Sequence, residues 1–306
     1  MIIPFLDGFM TFSRVPITWL LILINAFLFS QNYSLSTACQ EEFDYWYKDN
    51  NFLYTQGQIY KQYNNERSVA AINDYETLGR LAFRDEDFLK FATRKSWLGD
   101  QIAINKWREQ LDEFMILRSY YPPMILGVSD SQKDFVSTIS YQFYHEGFLH
   151  LLGNLLLLLI IGGYLERRYS GLLVFGTYLV GGSLAAYLFT MTPGMSGAPL
   201  IGASGSLCAL LGLLLVFEFK KETRLFYFFL PSSKYIGFVF VPTVYWILLL
   251  CMAEDVSGWL AQPDLFSSGV AHAVHMLGFI IGIAIGLLIK YSGLEFNQSA
   301  TANQYS

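Results

Sequence analysis

Apolar and polar positions divide the chain into blocks. Six apolar segments run over about 15–31, 147–165, 172–191, 203–217, 236–252 and 270–289. Several are at or below the roughly 20 residues that cross a bilayer as a helix. Tilt or local thinning of the membrane accommodates spans of that length. The segment from 203 is the shortest and opens with small residues, so it is expected to start below the membrane surface. Residues 32–140 are too polar for a span and too long for a plain loop. Within them, Asp74 to Thr93 and Trp97 to Arg118 have helix-compatible composition. Leu78, Leu81, Ala82, Phe88 and Leu89 recur there at near-helical spacing, and Pro122-Pro123 ends the second stretch. The pattern predicts an all-α membrane protein, a six-transmembrane-helix bundle with a long helical insert in its first connection. Its expected divisions are a tail (1–14), a first span (15–31), the insert (32–140), a core of five further spans (141–290) and a second tail (291–306).

Composition agrees with a membrane class. Apolar residues make up 53% of the chain and charged residues 15%, against about 45–50% and about 25% in soluble domains. Of 20 Lys and Arg, 12 fall between residues 32 and 140, which leaves the apolar blocks almost free of charge. A net charge of −5 gives no reason to expect a nucleic-acid partner. The three cysteines, Cys39, Cys208 and Cys251, have no spacing that implies a metal site or a disulfide framework. Residues 1–13 contain no Lys or Arg, so a basic signal-peptide start is missing and a retained first span is expected.

The short connections assign an orientation. Arg167 and Arg168 lie between the second and third spans. Lys220, Lys221, Arg224 and Lys234 lie between the fourth and fifth, and Lys290 closes the sixth. Connections 192–202 and 253–269 carry neither Lys nor Arg. Basic loops stay cytoplasmic, so both termini are expected there and the insert outside.

Candidate chemistry comes from polar groups in or beside apolar spans, where they are costly unless they are used. All four histidines, His145, His150, His272 and His275, sit in such places. His150 and Asn154 are four apart and share a helix face. Two donors there can stabilise an oxyanion, or they can simply bond neighbouring helices together. Gly202-Ala203-Ser204-Gly205 puts a serine among small residues at a helix start, where backbone N–H groups are unpaired. The same stretch also suits plain close packing of helices. His275 precedes Gly278, Gly282 and Gly286, a stripe of small residues that lets two helices approach. Gly205, Ala209 and Gly212 form a matching stripe. If these faces meet, Ser204 comes to His275, a nucleophile beside its base. His272 is the competitor, one turn nearer the outside. No intramembrane Asp or Glu is placed to complete a triad, which leaves a Ser–His dyad.

Together these clusters resemble the rhomboid proteases. The resemblance rests on His145, His150 and Asn154 at the second span, Gly202 to Gly205 at the fourth, and His275, Gly278 and Gly282 on the sixth. It extends to Pro16-Ile17-Thr18, Leu21 and Asn25, to Gly147-Phe148-Leu149-His150, and to Glu166-Arg167. It implies a rhomboid-like bundle around a wet cavity open to the outside. Ser204 and His275 would be the catalytic dyad. His150, Asn154, the Ser204 N–H and Gly202 would hold the oxyanion, while His145, Gly205, Gly278 and Gly282 would support the site. The implied partners are the lipid bilayer and single-span transmembrane substrates, with no cofactor, metal or nucleic acid. The implied location is the plasma (inner) membrane of a bacterium. Two positions depart from the family pattern. Val136-Ser137 stands where Trp-Arg is common, which removes a loop anchor; the insert is itself unusually long for the family, with two roles open to it, replacing that anchor or recruiting substrate. Cys208 stands where Tyr often packs under the catalytic His, leaving Tyr245 or Trp246 to position His275. Two other readings compete: an inactive relative that binds membrane clients, and a small transporter using the histidines as ion sites. The complete Ser, His and donor set disfavours the first. The lack of an internal repeat disfavours the second.

Overall fold

The computed structural model describes residues 2–5, 12–64, 72–83, 85–129, 134–191, 199–228, 236–248 and 270–292. It is mostly helical. Three described helices are long and apolar enough to cross a membrane: α8 (Phe148–Arg168), α9 (Gly171–Thr190) and the apolar body of α12 (Val270–Tyr291). A shorter apolar helix, α10 (Ser204–Glu218), lies among them. Its buried leucines, with Leu158, Ile161 and Leu165 of α8 and Val174 and Tyr178 of α9, make the main core.

The first helix is longer than the apolar block that starts it. α1 (Pro16–Trp46) runs unbroken for 31 residues, about 46 Å at 1.5 Å per residue. Leu21 and Ile22 join the main core, whereas Cys39, Phe43 and Trp46 join a second core. Pro16 occupies the first turn, where its missing N–H costs nothing. The carboxylate of Glu166 closes that end. It accepts from Ile17 N at 2.9 Å, Thr18 N at 2.7 Å and Thr18 Oγ1 at 2.7 Å. An anion at a helix N-terminus satisfies orphan donors and opposes the helix dipole.

The second core belongs to the expected insert. It comprises α2 (Asn50–Tyr63), α3 (Tyr75–Ala82), α4 (Glu86–Ala92) and α5 (Gln101–Tyr120) around Phe52, Leu53, Leu78, Phe88, Trp107 and Leu111. Each helix is started by an aspartate, Asp49, Asp74, Asp85 or Asp100, whose carboxylate accepts first-turn N–H bonds. Arg118 and Glu86 form a buried ion pair inside it. Two short helices, α6 (Pro122–Leu126) and α7 (Phe135–Ser140), lead back to α8.

The fifth apolar segment departs from expectation. A helical span was expected over 236–252, but its first part is a strand, β3 (Ile236–Pro242). It pairs antiparallel with β2 (Glu222–Phe228), which pairs with β1 (Ile2–Phe5). The cause is composition: Ile, Phe and Val dominate β3, and Thr, Phe and Tyr of β2 also favour extended backbone. An apolar run of this length does not distinguish strand from helix by periodicity. Helix resumes only at α11 (Thr243–Trp246), and most of the rest of that segment lies outside the described residues, as do 253–269.

Candidate active site

The site starts with two helices that approach too closely for side chains. A Cβ on Gly278 of α12 would lie 2.2 Å from the Gly205 carbonyl oxygen of α10. One on Gly282 would lie 1.9 Å from the Ala209 carbonyl oxygen, and one on Gly212 would lie 2.2 Å from that of Phe279. At the end of this seam, His275 Nε2 and Ser204 Oγ are 2.7 Å apart. Ser204 is the first residue of α10, so its N–H is among the four a helix leaves unpaired at its start.

Gly202, just before, has φ +113°, a left-handed conformation natural to glycine. A Cβ there would sit 2.9 Å from His150 Nε2, so this backbone lies directly against the imidazole. Asn154 is buried one turn along α8 from His150, and its Nδ2 has no hydrogen-bond partner among the described residues. Buried amide donors are rarely left so. Ser204, His275, His150, Asn154 and Gly202 therefore meet at one end of the bundle.

The loop before α8 holds the serine loop in place. Gly202 N donates to the Tyr141 carbonyl at 2.9 Å, and Ala203 N donates to His145 Nε2 at 3.4 Å. His145 must be neutral to accept. Burial first, then the neighbouring His150, push its pKa down to about 3, against a smaller upward pull from the Phe143 backbone. Sequence reasoning missed the polar group behind the serine. Gln142 accepts from Ser206 Oγ at 2.8 Å through Oε1, and its Nε2 donates to Ser183 Oγ at 2.9 Å. Tyr141 Oη donates to the Gly182 carbonyl at 2.8 Å. The available signal was a Tyr-Gln pair beside an apolar span.

Val136 and Ser137 do not anchor the loop across the bundle. Val136 is exposed, and Ser137 bonds back to Asp134. The stretch leaving the insert does the anchoring. Val128 and Leu200 exchange backbone hydrogen bonds of 3.0 and 2.7 Å, and Ser140 Oγ donates to the Leu126 carbonyl at 2.6 Å. Ser36 and Tyr144 hydroxyls, 2.6 Å apart, tie α1 to the residue before His145. Neither aromatic proposed to position His275 is suited to it. Trp246 is packed in the main core, and Tyr245 is 58% exposed. Beneath the dyad, Cys208 faces the Gly278 backbone, 3.5 Å from where a Cβ would stand. His272 lies beside His275, with ring centroids 6.5 Å apart. Among the described residues no group of three His, Cys, Asp or Glu is placed to hold a metal ion.

A family model for the Rhomboid domain matches residues 132–292, more than half of the chain. The chain belongs to the rhomboid family. With its apolar helices, it is an integral membrane protein. Rhomboid-related protein 2 of Mus musculus is 29% identical over 161 residues, 49% of this chain and 47% of that protein. RHOMBOID-like protein 5 of Arabidopsis thaliana is 34% identical over 152 residues, 49% of this chain and 43% of that protein. The chain thus matches less than half the length of each of these relatives. Both are eukaryotic, which lends no support to the bacterial membrane expected from sequence. The rhomboid match begins at residue 132, so the helices of the second core, through α5, precede it.

Proposed function

We propose that this rhomboid is a serine endopeptidase that cuts single-span membrane proteins near the outer end of their transmembrane helix. The observation that carries the reading is the 2.7 Å contact of Ser204 Oγ with His275 Nε2. That is hydrogen-bond distance for a base taking the hydroxyl proton as the oxygen attacks a carbonyl. The proton then passes from His275 to the leaving amine, and water repeats the sequence to release the acyl group from Ser204. The oxyanion would be met by the Ser204 N–H, the unpartnered Asn154 amide and His150, with the Gly202 backbone as a further contact. His145, Gly205, Gly278 and Gly282 support the site through backbone position.

The orientation reading is supported by the far end of the bundle. Buried Glu218, at the end of α10, binds Arg168 at 3.1 Å and Lys221 at 2.8 Å. The two basic connections therefore meet at one end, opposite the dyad. α10 is 15 residues long, about 22 Å, so its start falls short of the far surface of a hydrocarbon core about 30 Å thick. Ser204 would sit within the membrane's depth, reached by water from outside, with both termini and the basic loops cytoplasmic. A helical substrate must unwind there, because its carbonyls are already hydrogen-bonded.

The test uses the purified full chain in detergent, a fluorophosphonate probe and a model single-span substrate. Labelling at Ser204 and cleavage are expected, with both lost in Ser204→Ala and His275→Ala. Cleavage that persists in Ser204→Ala would refute the proposal, as would a wild-type chain that neither labels nor cleaves. The second outcome would favour an inactive client-binding rhomboid.

A further inference from the structure

A cavity of about 320 Å³ lies where the second core meets the candidate active site. One wall is aromatic and comes from the insert. Phe43, Phe83 and Phe114 line it and are nearly fully buried. Glu146, next to His145, and Ile201, next to Gly202, also line the cavity. Ile201 is three residues from Ser204, at most about 11 Å of chain. The cavity therefore lies near the site, and a substrate chain leaving one can reach the other within a few residues.

Its charge is one-sided. Arg118 lines the cavity but is paired with Glu86 inside the insert. Asp44 is at the exposed rim, and its ion pair with Lys48 is open to water, where such pairs are weak. Glu146 is exposed and has no hydrogen-bond or ion-pair partner among the described residues. The Glu146 charge is close enough to help raise the Tyr121 hydroxyl pKa, after burial. The lining thus combines an aromatic floor with an acidic rim.

We propose that this cavity is an exosite that takes a bulky apolar side chain, flanked by a basic one, from the part of a substrate lying just outside the membrane. It rests on the protease reading above. The insert then adds selectivity for the extramembrane sequence, beyond the helix that is cut. The volume suits one large side chain with room for part of a second, near the small end of ligand pockets. The contribution is to substrate capture, not to chemistry at Ser204.

The test compares two synthetic single-span substrates with the same transmembrane segment. One carries a Trp-Arg pair moved along its extramembrane flank; the other carries Gly-Ser at the same places. At the productive position the pair is expected to raise kcat/KM about tenfold, which is one decade of binding, through KM with kcat changed little. Tyr47→Ala and Asp44→Lys, both at exposed rim residues, should erase most of that preference. A Trp-Glu pair should regain part of it in Asp44→Lys. Fluorophosphonate labelling of Ser204 should be unchanged in both variants. Equal cleavage of the two substrates, or a preference unaltered by either variant, overturns the exosite and leaves the protease reading intact. A variant that speeds cleavage of both substrates alike also overturns it, since the cavity would then hold a segment of this chain. Failure of the wild type to label overturns the protease reading first.

Discussion

Replacing Gly278 with alanine should disable the dyad without touching either member. The added methyl would stand 2.2 Å from the Gly205 carbonyl oxygen. That neighbour is backbone and cannot swing aside. Reaching even 3.0 Å, the lower edge of real Cβ contacts, requires α10 and α12 to part by about 0.8 Å at that level. Ser204 precedes Gly205, and His275 is one turn before Gly278, so the gap opens at the dyad as well. A contact of 2.7 Å becomes about 3.5 Å, the limit of a useful hydrogen bond. Misplacement on the order of 1 Å costs about 100-fold in rate. Gly278→Ala is therefore expected to lose about two decades of kcat on a model single-span substrate. Fluorophosphonate labelling of Ser204 should slow in parallel. Gly176→Ala is the control, because a Cβ there meets nothing within 4 Å. Thermal unfolding in detergent separates misalignment from collapse. Wild-type cleavage by a folded Gly278→Ala chain would refute the account of how the seam sets the dyad.

Other outcomes follow from the same geometry. Asn154→Ala removes the unpartnered amide and should lower kcat by about 10²–10³ with little change in KM; an unaltered kcat would mean the amide meets no developing charge. Glu166→Ala strips three hydrogen bonds from the start of α1 and should destabilise the fold by about 3 kcal/mol. Denaturant titration in mixed micelles measures this, and a loss below about 1 kcal/mol contradicts the capping role. His145 gives a pH dependence whose sign is fixed. Its folded pKa, about 3, lies below the ordinary histidine value of 6.5. The unfolded chain therefore binds the extra proton between those values. The stability due to neutral His145 is complete above about pH 6.5 and falls as pH drops, by up to about 1.4 kcal/mol per unit. Thermal midpoints between pH 7 and pH 5 should show this slope, and His145→Gln should flatten it.

The meeting of Ser204 with His275 was more legible in the sequence than the architecture around it. Glycines at every fourth position of α12, opposite small residues of α10, are a packing signal carried by size alone. They brought Ser204 and His275 to one place before any coordinates. Glu166-Arg167 and Pro16-Ile17-Thr18 were visible as separate motifs, but not as a carboxylate sitting on a helix end. Their meeting spans 148 residues of chain, and no local pattern encodes a contact of that range. Gln142 was missed for a similar reason, since its value lies in partners from α9 and α10. The insert helices were foreshadowed by near-helical spacing and then ended by Pro122-Pro123. The unbroken length of α1 was not, because polarity changes along it while helix does not. The β3 strand was misread because an apolar run of aromatic and β-branched residues fits a span equally well. Loop anchoring moved as well. Where a basic side chain was missing at Ser137, backbone pairing of Val128 with Leu200 takes its place.

On the reading of α1 as the first span, its unbroken length would make the chain sensitive to the thickness of the membrane around it. Its lower end is clamped by Glu166 and its upper end is embedded in the insert, with no joint between. A change in bilayer thickness is absorbed by helices mainly as tilt. Over a rod of about 46 Å, a tilt of about 10° carries the upper end sideways by about 8 Å. Lipid composition would then be a lever on the module beside the candidate site, moving it without any ligand touching it.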